Sequence, residues 1–194
     1  MNKSTLFLFF ALTSFNADLP IQNTYFLAKD YRVTIHGTSN LRDWQETVEK
    51  VTGDMVAVLN VDGSVNLVSV DIRMDVNSIK SDMGSIMNNK TYDALKSNLN
   101  PEIIFTLNVP VKLIQVKRGE NTFTLRGNLT LAGLCKPVTM EVNLFILGEG
   151  RLQFEGRQAI KMTDFGVKPP SALFGTMKAG PDIIINFKTN FTNK

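Results

Sequence analysis

The chain reads as all-β: an antiparallel barrel of about eight strands with one short helix between the third and fourth. Three observations predict this. Apolar and polar residues alternate through most of the chain, turns bearing Gly or Asn join successive strands, and a single stretch shows helical spacing. A meander of this length tends to close on itself, which removes exposed strand edges. With 194 residues, 43% of them hydrophobic and 20% charged, the composition suits one globular domain.

The N-terminus "MNKSTLFLFFALTSFNADLP" places Lys3 before an apolar run at residues 6–12 and small residues near Ala17. This pattern predicts a secretory signal peptide over 1–17, with the barrel domain over 18–194. The run is too short to cross a bilayer core. Phe15 fits poorly three places before a cut after Ala17, so the cleavage point stays open. The net charge is +3, of which Lys3 supplies one, and no long basic run is present. Nucleic acid is therefore not an expected partner. Cys135 is the only cysteine, so the fold must be stable without an internal disulfide. It is read as a packed or partly exposed residue of the "AGLCK" turn (132–136).

Along the chain, "YRVTIHGTS" (31–39) sets Tyr31, Val33 and Ile35 against Arg32, Thr34 and His36. "GDMVAVL" (53–59) is apolar on both faces. "VSVDIRMDV" (68–76) alternates, but Val65 and Leu67 fall in the opposite phase, which predicts a bulge near Leu67. "IIFTLNVPVKL" (103–113) keeps Ile103, Phe105, Leu107, Val109, Val111 and Leu113 in phase, with Pro110 marking a bulge or a weakly paired edge. Later strands present Phe123, Leu125, Leu129 and Leu131; then Val138, Met140, Val142, Leu144 and Ile146. Leu152, Phe154, Ile160 and Met162 follow, interrupted by Gly156 and Gln158, and finally Ile183, Ile185, Phe187 and Phe191. "NVDG" (60–63), "KRGEN" (117–121) and "GEG" (148–150) are further turns.

The helical stretch is "SDMGSIMNNKTYDALKS" (81–97), with Met83, Ile86, Met87, Tyr92 and Leu95 at helical intervals and Ser81 or Asp82 as cap. It should cross one end or face of the barrel, as a plug or as a lid. The irregular segment 163–182 joins the last two strands, and its Leu173, Phe174 and Met177 are apolar enough to pack back.

Catalytic signatures are scarce. "HGTSNLRDW" (36–44) concentrates the only His and the only Trp with Ser39, Asn40, Arg42 and Asp43. Ser39, His36 and Asp43 suggest a triad only on paper, because residues three apart on a strand point to opposite faces. No nucleophile elbow, phosphate-binding loop or dinucleotide fingerprint is present, and one His with one distant Cys makes no zinc site. No enzymatic activity, catalytic residue, metal or cofactor is expected. A barrel of this size is either filled by its own side chains or holds one small ligand, and strand count does not choose. Because the inward set is nearly all apolar, any internal ligand should be apolar too.

Four segments in order carry a family resemblance: "HGTSNLRDW", "NPEIIFTL" (100–107), "GNLTLAGLCKPVTMEV" (127–142) and "MTDFGVKPPSALFGTMKAGPDIIINF" (162–187). Together they resemble the YceI-like family over residues 31–191. The resemblance implies an exported bacterial protein, periplasmic or secreted, with a lipocalin-like barrel around a long polyisoprenoid or quinone lipid and no catalysis. It tips the choice towards a hollow barrel. Cys135 departs from the threonine usual in the family, and "PPSALFG" resembles a version found in only part of it, so the ligand's identity is not carried over. The expected lining is Phe105, Leu107, Phe123, Leu125, Leu129, Met140, Val142, Leu144, Phe154, Ile160, Ile185 and Phe187, with Met83, Met87 and Tyr92 near the helix. In the binding reading the partner is an apolar lipid. Transient membrane contact and a homodimer stay open. The competing expectation is a packed, ligand-free barrel acting as a secreted interaction or assembly module.

Overall fold

The computed structural model describes residues 22–116, 121–172 and 175–193. The expected signal segment, most of the "KRGEN" turn, and Leu173 and Phe174 lie outside the described residues.

Alternation builds one continuous antiparallel sheet. Its ring runs β1 (Asn23–Leu27), β4 (Val51–Leu59), β5 (Val65–Asp75), β7 (Glu102–Leu107), β9 (Thr122–Leu131), β10 (Leu134–Ile146), β11 (Leu152–Lys161) and β13 (Met177–Asn193). Pairing of β1 with β13 closes it. At one end, here the upper, the sheet continues from β13 through β2 (Arg32–Ser39), β3 (Trp44–Val48) and β6 (Ile79–Ser81). Thus β1 with β2, β3 with β4, and β5 with β6 are three long strands, each broken once. Counted this way the barrel has eight strands, and the helix follows the third. The short β8 (Val111–Ile114) pairs with β5, and β12 (Ser171–Ala172) folds back on the start of β13.

Each break frees backbone groups that must find partners, because buried unpaired amides are costly. The Tyr31 hydroxyl donates to the Glu49 carbonyl (2.8 Å) and accepts from the Val51 amide (2.9 Å), tying the first two breaks together. Buried Asn190 donates to the Asp30 carbonyl (2.8 Å) and accepts from Gln153 (2.7 Å). Ser78 accepts from the Lys50 amide (2.9 Å) opposite the third break.

Two expected irregularities are present. The register of β4 against β5 shifts so that Val56 faces Ser69 and Ala57 faces Leu67, leaving Val68 as the bulged residue. The 103–113 run is not one strand: it breaks at residues 108–110, and Val109 (56%) and Leu113 (62%) are exposed rather than inward. Pro110 cannot donate to a ladder, and Leu113 adopts a positive φ of 55°. The "AGLCK" segment also differs. Only Ala132 and Gly133 form the turn, both at positive φ, and Cys135 lies exposed on β10 opposite Thr130.

Helix α1 (Ser85–Leu95) lies across the upper end, against β6 and β12. It is short, as expected, and starts at Gly84 without a side-chain cap; Ser81 instead accepts from the Met83 amide (3.1 Å) in the turn before it. Its inner face carries Met87, Thr91, Tyr92, Ala94 and Leu95, while Ile86 is 74% exposed.

The inward phase forms two adjoining apolar clusters. The upper contains Val33, Ile35, Val48, Ile103, Leu131, Ile160 and Ile183. The lower contains Tyr25, Met55, Leu67, Leu144, Leu152, Phe154 and Phe191. Outward residues such as Arg126, Glu141 and Arg157 are exposed, the reverse of a membrane-spanning barrel, whose outer band is apolar. Glycine makes room for aromatic rings inside. A Cβ at Gly127 would lie 2.3 Å from the Phe105 ring and 2.6 Å from the Thr106 carbonyl oxygen, and one at Gly156 would lie 2.4 Å from Phe187.

Overpacking of this kind costs about 1–3 kcal/mol, so Gly127→Ala should lower the unfolding free energy by that amount in a denaturant titration. Gly148 has nothing within 4 Å of an added Cβ, and Gly148→Ala should stay within about 0.5 kcal/mol of wild type. Equal effects at the two positions would contradict this packing.

Candidate functional site

The barrel interior holds two apolar cavities that meet. The lower has about 110 Å³ of free space and is lined by Met55, Leu67, Val70, Ile72, Phe105, Leu125, Met140, Val142, Phe154, Phe187 and Phe191 among others. The upper, with about 60 Å³ on the same basis, is lined by Ile35, Trp44, Val48, Ile103, Leu131, Met162, Val167 and Ile183, with Thr91, Ala94 and Leu95 of α1. Val33, Met74, Leu129 and Ile185 line both and lie where the two adjoin.

Of the expected lining, Phe105, Leu125, Leu129, Met140, Val142, Phe154, Ile185 and Phe187 face the lower cavity. The others sit elsewhere. Leu144 is fully buried in the wall beneath it, and Leu107 and Phe123 pack on the same cluster. Phe123 meets Phe154 edge to face at 6.5 Å, and Phe154 meets Phe191 likewise at 5.8 Å. Ile160 belongs to the upper core. Met83 and Met87 line an outer crevice beside α1 with Pro170 and Met177. The Tyr92 hydroxyl accepts from Lys80 (2.9 Å) and lies 2.8 Å from the carbonyl oxygens of Asn77 and Ile79, so it fastens α1 to β6.

Polar lining was missed at Thr189, Glu46 and Thr91, while Gln158 was noticed only as an interruption. Thr189 donates to the Phe154 carbonyl (3.4 Å), and Gln158 donates to the Ala159 carbonyl (2.9 Å). Glu46 lies between Trp44 and Val48 in the inward phase of β3 and is only 5% exposed. The Thr91 hydroxyl donates to its Oε1 at 2.5 Å. Burial pushes the Glu46 carboxyl above the usual carboxylate range; the Thr91 hydrogen bond opposes this, and the Asp82 carboxylate adds to it. The available signal was a polar residue standing in an apolar phase.

"HGTSNLRDW" is a structural corner. Ser39 Oγ donates to the Arg42 carbonyl (2.7 Å) and accepts from the Arg42 amide (3.1 Å), while His36 Nε2 pairs with Thr34 Oγ1 (3.0 Å). Asn40 clamps the corner to β13 by donating to the Thr176 carbonyl (2.8 Å) and accepting from the Lys178 amide (2.7 Å). The Trp44 indole donates to the Thr38 carbonyl (3.0 Å) and lies over Gly37, where a Cβ would come within 2.2 Å of the ring. Gly37 therefore supplies space rather than a bend.

A raised carboxyl pKa contributes stability that is complete below the ordinary carboxylate pKa and is lost as pH rises through the raised folded value. Glu46→Gln does not titrate, so its melting temperature should rise relative to wild type as the pH is raised above the ordinary carboxylate pKa of about 4. A difference that stays constant as the pH rises would refute the assignment.

Among curated relatives, a UPF0312 protein of Pseudomonas paraeruginosa (strain DSM 24068 / PA7) is 36% identical over 83 residues, 39% of this chain. The chain spans the same 39% of that relative's length. A UPF0312 protein of Pseudomonas aeruginosa (strain LESB58) is 35% identical over 81 residues, 39% of each chain. In fold, the chain is similar to a polyisoprenoid binding domain from Saccharophagus degradans implicated in plant cell wall breakdown. That match has a TM-score of 0.68 and 12% identity, over 88% of this chain and 98% of the other. Burkholderia cenocepacia BcnA matches with a TM-score of 0.61 and 20% identity, over 84% and 96%. A Campylobacter jejuni YceI protein matches at 0.57 and 18%, over 77% and 84%. The YceI-like domain matches residues 22–191, from the start of the described barrel to near the end of β13, and the chain belongs to that family.

Proposed function

We propose that the chain is an exported, non-enzymatic binding protein that holds an isoprenoid- or quinone-type lipid in its barrel, as a carrier or a sequestering protein. One observation carries this reading: two almost wholly apolar cavities adjoin inside the barrel, with Val33, Met74, Leu129 and Ile185 lining both. Close-packed protein interiors leave few voids larger than a water molecule, so adjoining apolar spaces of about 60 and 110 Å³, each larger than one water needs, count against a barrel filled by its own side chains. Burying a lipid tail there gains about 0.8 kcal/mol per methylene. A long tail needs few polar contacts, in keeping with the scarcity of polar lining. The lipid class draws support from the polyisoprenoid binding domain of similar fold. Export rests on the apolar N-terminal run behind Lys3.

Organic extraction of the natively purified protein, followed by mass spectrometry, should release a prenyl-type lipid. A protein that repeatedly yields none, and takes up none when offered, would refute the reading. Val33→Trp places bulk where the cavities adjoin and should weaken binding of a long prenyl lipid by at least about tenfold, a loss of about 1.4 kcal/mol, with the fold verified by circular dichroism. Unchanged affinity would mean that the two cavities do not act as one.

A further inference from the structure

We propose that Glu46 and Thr91 receive the polar end of the bound lipid and select an uncharged oxygen head group, a hydroxyl or a carbonyl, over an anionic one. The inference rests on the lipid-binding reading and adds the orientation and head-group class of the ligand.

Placement is the first argument. Glu46 is buried to 5% exposure, yet it and Thr91 line both the upper cavity and the outer crevice of Met83, Met87 and Pro170. They therefore stand at the α1 end of the apolar interior, between the upper cavity and the small space under α1. The polar groups deeper in the barrel, Gln158 and Thr189, donate to carbonyls of the barrel wall itself. A ligand with one polar end would thus lie with its tail in the lower cavity and its head beside Glu46.

Charge is the second argument. Among the described residues none of the ion pairs involves Glu46, and the charged group that acts on it is another carboxylate, Asp82. A buried carboxyl without a cation is stable mainly in its neutral form. With Oε1 accepting from Thr91, a neutral carboxyl still has an O–H to donate and some acceptor capacity. A hydroxyl can use both, and a carbonyl oxygen can accept. A phosphate or carboxylate would set its negative charge near Asp82 and could be accommodated only with Glu46 held protonated, in a site of low dielectric where like charges repel strongly.

The test uses the mature chain with two probes of equal tail length, geranylgeraniol and geranylgeranyl diphosphate, each displacing a fluorescent apolar reporter. The wild-type affinity ratio includes the different water solubilities of the probes, so the decisive quantity is how that ratio changes on substitution. Glu46→Gln keeps an acceptor for Thr91 and removes the ionisable group, so that a bound anion no longer has to hold that group in its protonated form. It should shift the alcohol-to-diphosphate ratio towards the diphosphate by about tenfold or more. Glu46→Met, also non-ionisable and of similar length, gives the same comparison should the Gln variant fail to fold. A ratio unchanged in the folded variant overturns the head-group assignment and leaves lipid binding standing. Failure of wild type to bind either probe overturns lipid binding and the assignment with it.

Discussion

A closed barrel with an apolar inside must keep one side-chain phase pointing inward around the whole ring, because a one-residue slip turns a strand's entire apolar set to solvent. The longest strands here could not meet that demand unbroken. The chain meets it with interruptions at residues 28–31 and 49–50, a 3-10 turn at Val76–Ser78, the Val68 bulge, and a register shift between Ala179 and Ile183. Pro181 falls within that last shift, where its missing N–H costs no ladder bond. Tyr31, Ser78 and Asn190 satisfy the backbone that these interruptions expose. The polar side chains of the inner wall and strand breaks thus serve the architecture first.

The interior that results is defined as much by what is absent as by what is packed. Gly127 and Gly156 let Phe105 and Phe187 lie against the wall, and Gly37 does the same for Trp44. Rings held against the wall leave the axis open, and the two cavities run along it. At the upper end α1 contributes Thr91, Ala94 and Leu95 to the lining, while Tyr92 fastens the helix to β6. Among the described residues, Glu46 is the one ionisable group in this apolar lining.

Much of this was legible in the sequence. The period of two in "NTFTLRGNLTL" and "RLQFEGRQAIKM" gave the inward faces of β9 and β11, and the phase conflict around Leu67 gave the bulge. Phase reports direction but not depth, however. Leu144 and Ile160 point inward as expected and are consumed by wall packing, while Leu129 and Ile185 reach the cavity. Helical spacing likewise suggested Ile86, but α1 is rotated so that this residue meets solvent. Val109 and Leu113 continued a pattern that Pro110 had already ended. Glu46 escaped notice because "WQETV" is too short for its period to stand out, and because Thr91 approaches it only through the tertiary fold.

A lipid that enters the barrel to the level of the upper cavity would come to the single tryptophan, which offers a direct probe. Trp44 lines that cavity beside Glu46, and it is the only Trp in the chain. Titration with a long-tailed prenyl quinone, an electron acceptor that quenches indole emission on close approach, should reduce Trp44 fluorescence saturably and level off at one lipid per chain. Emission that is unaffected, or that falls linearly without saturation as in collisional quenching, would contradict the account.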